Sequence, residues 1–72
     1  MSRQSELFDR AAECGRWMQL TSDPDMQSVI RLLRDLWIVL GNECEFMSER
    51  ELVTRISTIE EIQSNIMENT AH

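Results

Sequence analysis

Apolar residues recur along the chain at steps of three and four, the spacing that places side chains on one face of an α-helix. The pattern falls into three segments and predicts helices over about residues 5–20, 24–41 and 49–67. The repeated isoleucines of the last segment keep helical spacing and show no period-two alternation. We therefore expect an all-α fold in which an antiparallel hairpin and a third helix form a three-helix bundle. The 72 residues make a single small domain, and we expect so small a core to be completed by homodimerisation.

The first segment is amphipathic and ends in a marked turn. Leu7, Ala11, Cys14 and Met18 share one face of the helix. The tetrapeptide Thr21-Ser22-Asp23-Pro24 then combines turn formers with a proline suited to the first helical position, which makes Asp23 the expected N-cap of the next helix. So short a connection predicts an antiparallel hairpin.

The second segment is apolar over more than one face. Its main stripe consists of Met26, Val29, Ile30, Leu33, Leu36, Trp37 and Leu40. Leu32 and Val39 widen this stripe beyond what one neighbouring helix could cover, so we expect a central helix with contacts on two sides. The core is expected to centre on Leu33, Leu36, Trp37 and Leu40. Gly41-Asn42 is typical of a C-terminal stop.

The third segment begins with a capping box formed by Ser48 and Glu51 and a hydrophobic staple formed by Met47 and Leu52. Its seam has heptad-like spacing and comprises Leu52, Ile56, Ile59, Ile62 and Ile66. Two arrangements remain open at this point: the helix folds back onto the hairpin, or it reaches a second subunit.

Composition narrows the classes of partner. Thirteen acidic and seven basic residues give a net charge of −6, and the basic residues are arginines dispersed among acids. Neither nucleic acid nor an anionic membrane is expected to bind, because both require clustered cations. The longest apolar run, Leu36 to Leu40, is too short to cross a bilayer, and no apolar leader opens the sequence. We expect a cytoplasmic protein.

Residues that could carry chemistry are few. The one histidine, His72, is the last residue of the sequence, and two cysteines with unsuitable spacing do not form a metal site. We expect no catalytic residues, metal or cofactor. Cys14 and Cys44 are candidate reactive thiols. Cys14 lies on the apolar face, which favours a buried hydrophobe over a nucleophile, whereas Cys44 near a loop is expected to be exposed.

The favoured function is that of a non-enzymatic interaction or regulatory protein acting as a homodimer. The partner is the chain itself, with a further protein partner left open. The candidate interface residues are Trp17, Leu32, Val39, Leu52, Ile56, Ile59 and Ile66. A thiol-based redox sensor using Cys14 or Cys44 is the alternative, and a helix-turn-helix DNA-binding protein ranks third.

A spaced pattern between Arg10 and about Leu40 resembles a group of short helical proteins of alphaproteobacteria, notably of rhizobial relatives. The pattern comprises Arg10-Ala11-Ala12-Glu13-Cys14, then Asp23-Pro24-Asp25-Met26, then Trp37. Gly15 departs from it, since a charged residue usually follows the cysteine. The resemblance implies a bacterial, cytoplasmic protein with a helical-hairpin core, and it implies no activity.

Overall fold

Three α-helices and two short connections make up the protein in a computed structural model that describes residues 3–70, with side chains for residues 3–68. Helix α1 spans Arg3–Leu20, α2 spans Pro24–Glu43 and α3 spans Glu49–Thr70. A single 3-10 turn, Cys44–Phe46, lies between α2 and α3. The predicted all-α, three-helix fold is confirmed, and each helix is two or three residues longer than predicted at one end.

The hairpin of α1 and α2 is held at its turn by local hydrogen bonds. The side chain of Asp23 accepts from the backbone N–H of Asp25 at 3.0 Å, which confirms Asp23 as the N-cap of α2. The Gln27 Nε2 donates to the carbonyl of Thr21 at 2.6 Å. These bonds satisfy backbone groups that a helix end would otherwise leave to water, and they set the antiparallel course of α2.

The core lies where the apolar faces of the three helices meet. Its buried residues are Leu7, Ala11, Cys14, Ile30, Leu33, Trp37, Leu40, Cys44, Leu52 and Ile59. The predicted faces of α1 and α2 are thereby confirmed, with two corrections on α2. Val29 was expected in the main stripe but is 38% exposed. Leu36 was expected at the centre of the core but is 43% exposed. It lies on the flank of α2 that neither α1 nor α3 covers fully.

Gly41 does not end α2, so the predicted stop at Gly41-Asn42 is wrong. The helix continues to Glu43, and no residue among those described has a positive φ. Gly41 is buried instead against the ring of Phe8, and a Cβ at this position would lie 2.7 Å from the ring carbon Cε1. The lack of a side chain at Gly41 therefore allows α1 and α2 to approach closely. The Gln4 Nε2 also donates to the Gly41 carbonyl at 3.1 Å.

Helix α3 folds back along α2 within the same chain, which decides between the two arrangements left open by the sequence. The Glu51 N–H donates to Ser48 Oγ at 3.1 Å, as the capping box predicts. Leu52 is buried, and Met47 packs against the same cluster. Because Leu52 and Ile59 reach the core from α3, the bundle is closed by the chain's own third helix.

Trp37 is the side chain at which all three helices meet. Its indole is fully buried, and Nε1 donates to Gln63 Oε1 on α3 at 3.3 Å. The guanidinium of Arg10, on α1, lies over the ring at 5.1 Å from the centroid and pairs with Glu60 on α3 at 3.1 Å. The hydrogen bond and the cation–π contact bring polar groups of α1 and α3 to one aromatic side chain of α2.

Replacing Leu52 by Ala tests the packing of α3 within the chain. We expect the free energy of unfolding to fall by about 2–5 kcal/mol, because the substitution removes a buried side chain and leaves a cavity. Val53→Ala is the matched control, since Val53 is 46% exposed, and it should change stability by about 0.5 kcal/mol or less. Urea denaturation measures both, and equal effects would contradict the packing.

Candidate interaction surface

Helix α2 carries a line of exposed apolar side chains beside its buried face. We call it the α2 strip, and it consists of Val29, Leu32, Leu36 and Val39. Their spacings of three, four and three residues place them in one row along the helix. Leu32 is the most exposed at 66%. An apolar row of this kind is the pattern of a helix that packs against another helix.

The strip borders a groove between α2 and α3. The groove has a volume of about 180 Å³ and is lined by Leu36, Val39, Leu40, Glu43, Arg55, Thr58, Ile59 and Ile62. Leu40 and Ile59 are buried and form its floor, whereas Leu36, Val39 and Ile62 remain partly exposed on its walls. The groove exists because α3 packs toward the core side of α2 and leaves the outer flank of α2 uncovered.

Two residues of opposite charge lie at one end of this groove. Glu43 comes from the last turn of α2 and Arg55 from the second turn of α3. Within residues 3–68 the ion pairs join Arg3 to Glu49, Arg10 to Glu60 and Arg34 to Asp35. Neither Glu43 nor Arg55 is among them, so both charges remain available to a group entering the groove.

The structure separates the predicted interface residues into three groups. Leu32 and Val39 are exposed on the α2 strip, as an interface requires. Leu52 and Ile59 are buried in the core of the same chain, and Trp17, Ile56 and Ile66 are half-buried against it. Sequence reasoning did not select Val29 and Leu36, because their positions also fit the edge of the main stripe. Their exposure depends on where α3 packs.

Both candidate thiols are buried and free. Cys14 is 2% exposed on the core face of α1, as its spacing predicted. The expectation that Cys44 would be exposed is wrong: α2 continues past Gly41 into the 3-10 turn, which directs the side chain inward. The Cys44 Sγ donates to the carbonyl of Gly41 at 3.3 Å.

The environment of Cys14 favours its protonated form. Burial raises the pKa of the thiol above its ordinary value of 9.0, and the neighbouring Glu13 carboxylate raises it further. The guanidinium of Arg34 acts in the opposite direction and is the weaker influence. Because the thiolate is the nucleophilic form, this position is a poor one for a reactive cysteine.

Metal binding requires clustered ligands, and membrane insertion requires a long apolar helix. In the described part of the chain no group of three or more His, Cys, Asp and Glu side chains is arranged to hold a metal ion. None of the three helices, over the same residues, combines the length and apolar character needed to cross a membrane. His72 lies outside the described residues.

We expect both native thiols to react with a maleimide at least about 100-fold more slowly than in the unfolded chain, because the reagent reaches them only when the core opens. The control is Ser57→Cys, which places a thiol at an exposed position of α3 and should react rapidly without unfolding. Mass spectrometry of the labelled chain gives the rates. Fast native labelling of Cys14 or Cys44 would contradict their burial.

Stability should fall as the pH rises above about 9, through the interval between the pKa of an exposed thiol and the raised pKa of Cys14. In this interval the unfolded thiol loses its proton while the folded thiol keeps it, so the unfolded state is favoured. The chain has no tyrosine, and all seven basic residues are arginines, so thiols dominate side-chain titration there.

Urea denaturation between pH 8 and pH 11 measures this effect, and Cys14→Ala should flatten the dependence. An equal decline in the variant and the native chain would assign the pH dependence to another group.

Comparison with known proteins found no family model, no curated protein and no solved structure that matches this chain. The similarity to short alphaproteobacterial helical proteins stays a prediction.

Proposed function

We propose that this protein is a non-enzymatic, cytoplasmic interaction protein that works as a homodimer, and that the α2 strip is its interface. The observation that carries the proposal is the row of Val29, Leu32, Leu36 and Val39, which is exposed beside the buried face of the same helix. Contiguous apolar surface of this kind is typical of protein–protein contact sites. Free Cys14 and Cys44 agree with a reducing compartment.

The order of residues along α2 favours a second copy of the chain as the occupant. The row reads acid, Val, Leu, Leu, Val, acid, with Asp25 before the strip and Glu43 after it. It therefore reads the same in both directions. A twofold interface requires one patch to complement itself, and a row with this symmetry does so in shape and apolarity.

The length of the row also suits a helix-to-helix interface. From Asp25 to Glu43 the row extends about 27 Å at 1.5 Å per residue. The groove wall on α3, with Ile62 and Thr58, adds a second contact region beside it. Because the contact is confined to one helix row and one groove wall, we expect a dimer that dissociates on dilution.

Because α3 packs within the chain, some of the predicted interface residues belong to the core and are not available to a second copy. Leu52 and Ile59 hold α3 against the core, and Ile59 shapes the groove floor. The surface offered to a second copy is then the strip rather than the α3 seam. A redox role for Cys14 or Cys44 has weaker support, since both thiols are buried and the pKa of Cys14 is raised.

Light scattering across a concentration series tests the dimer. We expect the native chain to pass from monomer to dimer with rising concentration. Leu32→Gln should weaken association roughly tenfold or more, because it places an amide at the centre of the apolar row.

Leu20→Gln is the matched control, since Leu20 is an exposed leucine, 87% accessible, that belongs to α1 and not to the α2 strip. It should leave association unchanged. Circular dichroism of both variants checks that the helices are retained. A native chain that stays monomeric at every concentration would refute the homodimer, and equal effects of the two variants would move the interface away from α2.

A further inference from the structure

The groove between α2 and α3 has one open wall, and the α2 strip continues beyond its end. The C-terminal half of the strip, Leu36 and Val39, lines the groove. The N-terminal half, Val29 and Leu32, lies further along α2 and is not part of the groove lining. The same chain thus presents an apolar groove at one end of α2 and an apolar ridge at the other.

The two ends are complementary under an antiparallel twofold arrangement. With the axis passing between Leu32 and Leu36, Leu32 of one copy faces Leu36 of the other, and Val29 faces Val39. Each ridge then lies in the groove of the opposite copy, so both grooves are filled at once. A parallel arrangement would place ridge against ridge and leave both grooves open.

The charged residues favour the antiparallel arrangement as well. In the parallel dimer Asp25 would face Asp25 of the other copy, away from the groove and from Arg55, and Glu43 would face Glu43. In the antiparallel dimer each Asp25 faces Glu43 of the other copy, and both carboxylates lie at the groove end that carries Arg55. Arg55 has no ion pair within residues 3–68, and it lies where it can neutralise the carboxylate of the incoming Asp25.

The helix dipoles also favour the antiparallel arrangement. In the antiparallel arrangement the positive N-terminal end of α2 from one copy lies beside the negative C-terminal end from the other. We infer that the N-terminal half of α2, Asp25 to Leu32, fills the α2–α3 groove of a second copy in an antiparallel register. Arg55 then pairs with Asp25 across the interface. This inference rests on the proposed homodimer.

Disulfide trapping tests the register. Val29→Cys and Val39→Cys are prepared as separate proteins, and the native buried thiols of Cys14 and Cys44 remain in both. Under mild oxidation we expect a covalent dimer when the two variants are mixed and little from either alone. Residues 29 and 39 face each other across the antiparallel axis, whereas each lies about 15 Å from its own counterpart at 1.5 Å per residue.

Arg55→Gln tests the charge pair. We expect dimer dissociation to become about 2- to 10-fold easier, since an exposed ion pair is lost at each end of the interface. Arg50→Gln is the matched control, because Arg50 is an exposed arginine of α3 that does not line the groove. It should leave the dissociation constant unchanged, and added salt should reduce the difference between the two variants.

The outcomes separate this inference from the proposed function. Efficient self-crosslinking of Val29→Cys or Val39→Cys alone would overturn the antiparallel register in favour of a parallel one. A dimer in light scattering, with no crosslink in the mixture, would overturn the register and leave the homodimer standing. A native chain that never dimerises would overturn both, and equal effects of Arg55→Gln and Arg50→Gln would remove Arg55 from the interface.

Discussion

Burial of Trp37 is the constraint on which the rest of the structure depends. An indole that is fully buried needs apolar contact on every side and a partner for its N–H. Helix α1 supplies Arg10 over the ring, and α3 supplies Gln63 as acceptor of the N–H bond. The pair between Arg10 and Glu60 is partly solvated and contributes little energy by itself, yet it joins α1 to α3 beside the same ring. All three helices are thus positioned around one side chain.

That arrangement determines which part of α2 is left uncovered. Helix α1 approaches closely enough for Phe8 to contact Gly41, and α3 places Leu52 and Ile59 in the core. Two neighbouring helices cannot cover the whole circumference of α2. They cover the face that contains Ile30, Leu33, Trp37 and Leu40. The α2 strip falls outside both contacts. Its exposure is therefore a consequence of the same packing that buries Trp37, and it is the surface that we propose for contact with a second copy.

The caps and faces were predictable because their causes are local. Asp23 caps α2 and Ser48 caps α3 through hydrogen bonds that span two or three residues, so adjacent residue types suffice to identify them. The core face of α1 follows from helical spacing alone. The errors arise where the cause lies in another helix: Gly41 looks like a stop in isolation, and only the Phe8 ring against it explains a glycine inside α2.

Cys44 and Leu36 also show that local sequence predicts the helix position of a residue but not its exposure. The sequence places one near a loop and the other within an apolar stripe, but a 3-10 turn directs Cys44 inward, and the position of α3 leaves Leu36 at the groove wall. The sequence by itself determined three helices, their caps, the antiparallel hairpin and a central helix with too much apolar surface for one neighbour. Tertiary structure alone decided that α3 packs within the chain, which residues of the wide stripe stay exposed and where the groove opens. The reason is physical: periodicity defines the direction of each side chain around its own helix axis, whereas exposure depends on how neighbouring helices pack around that axis.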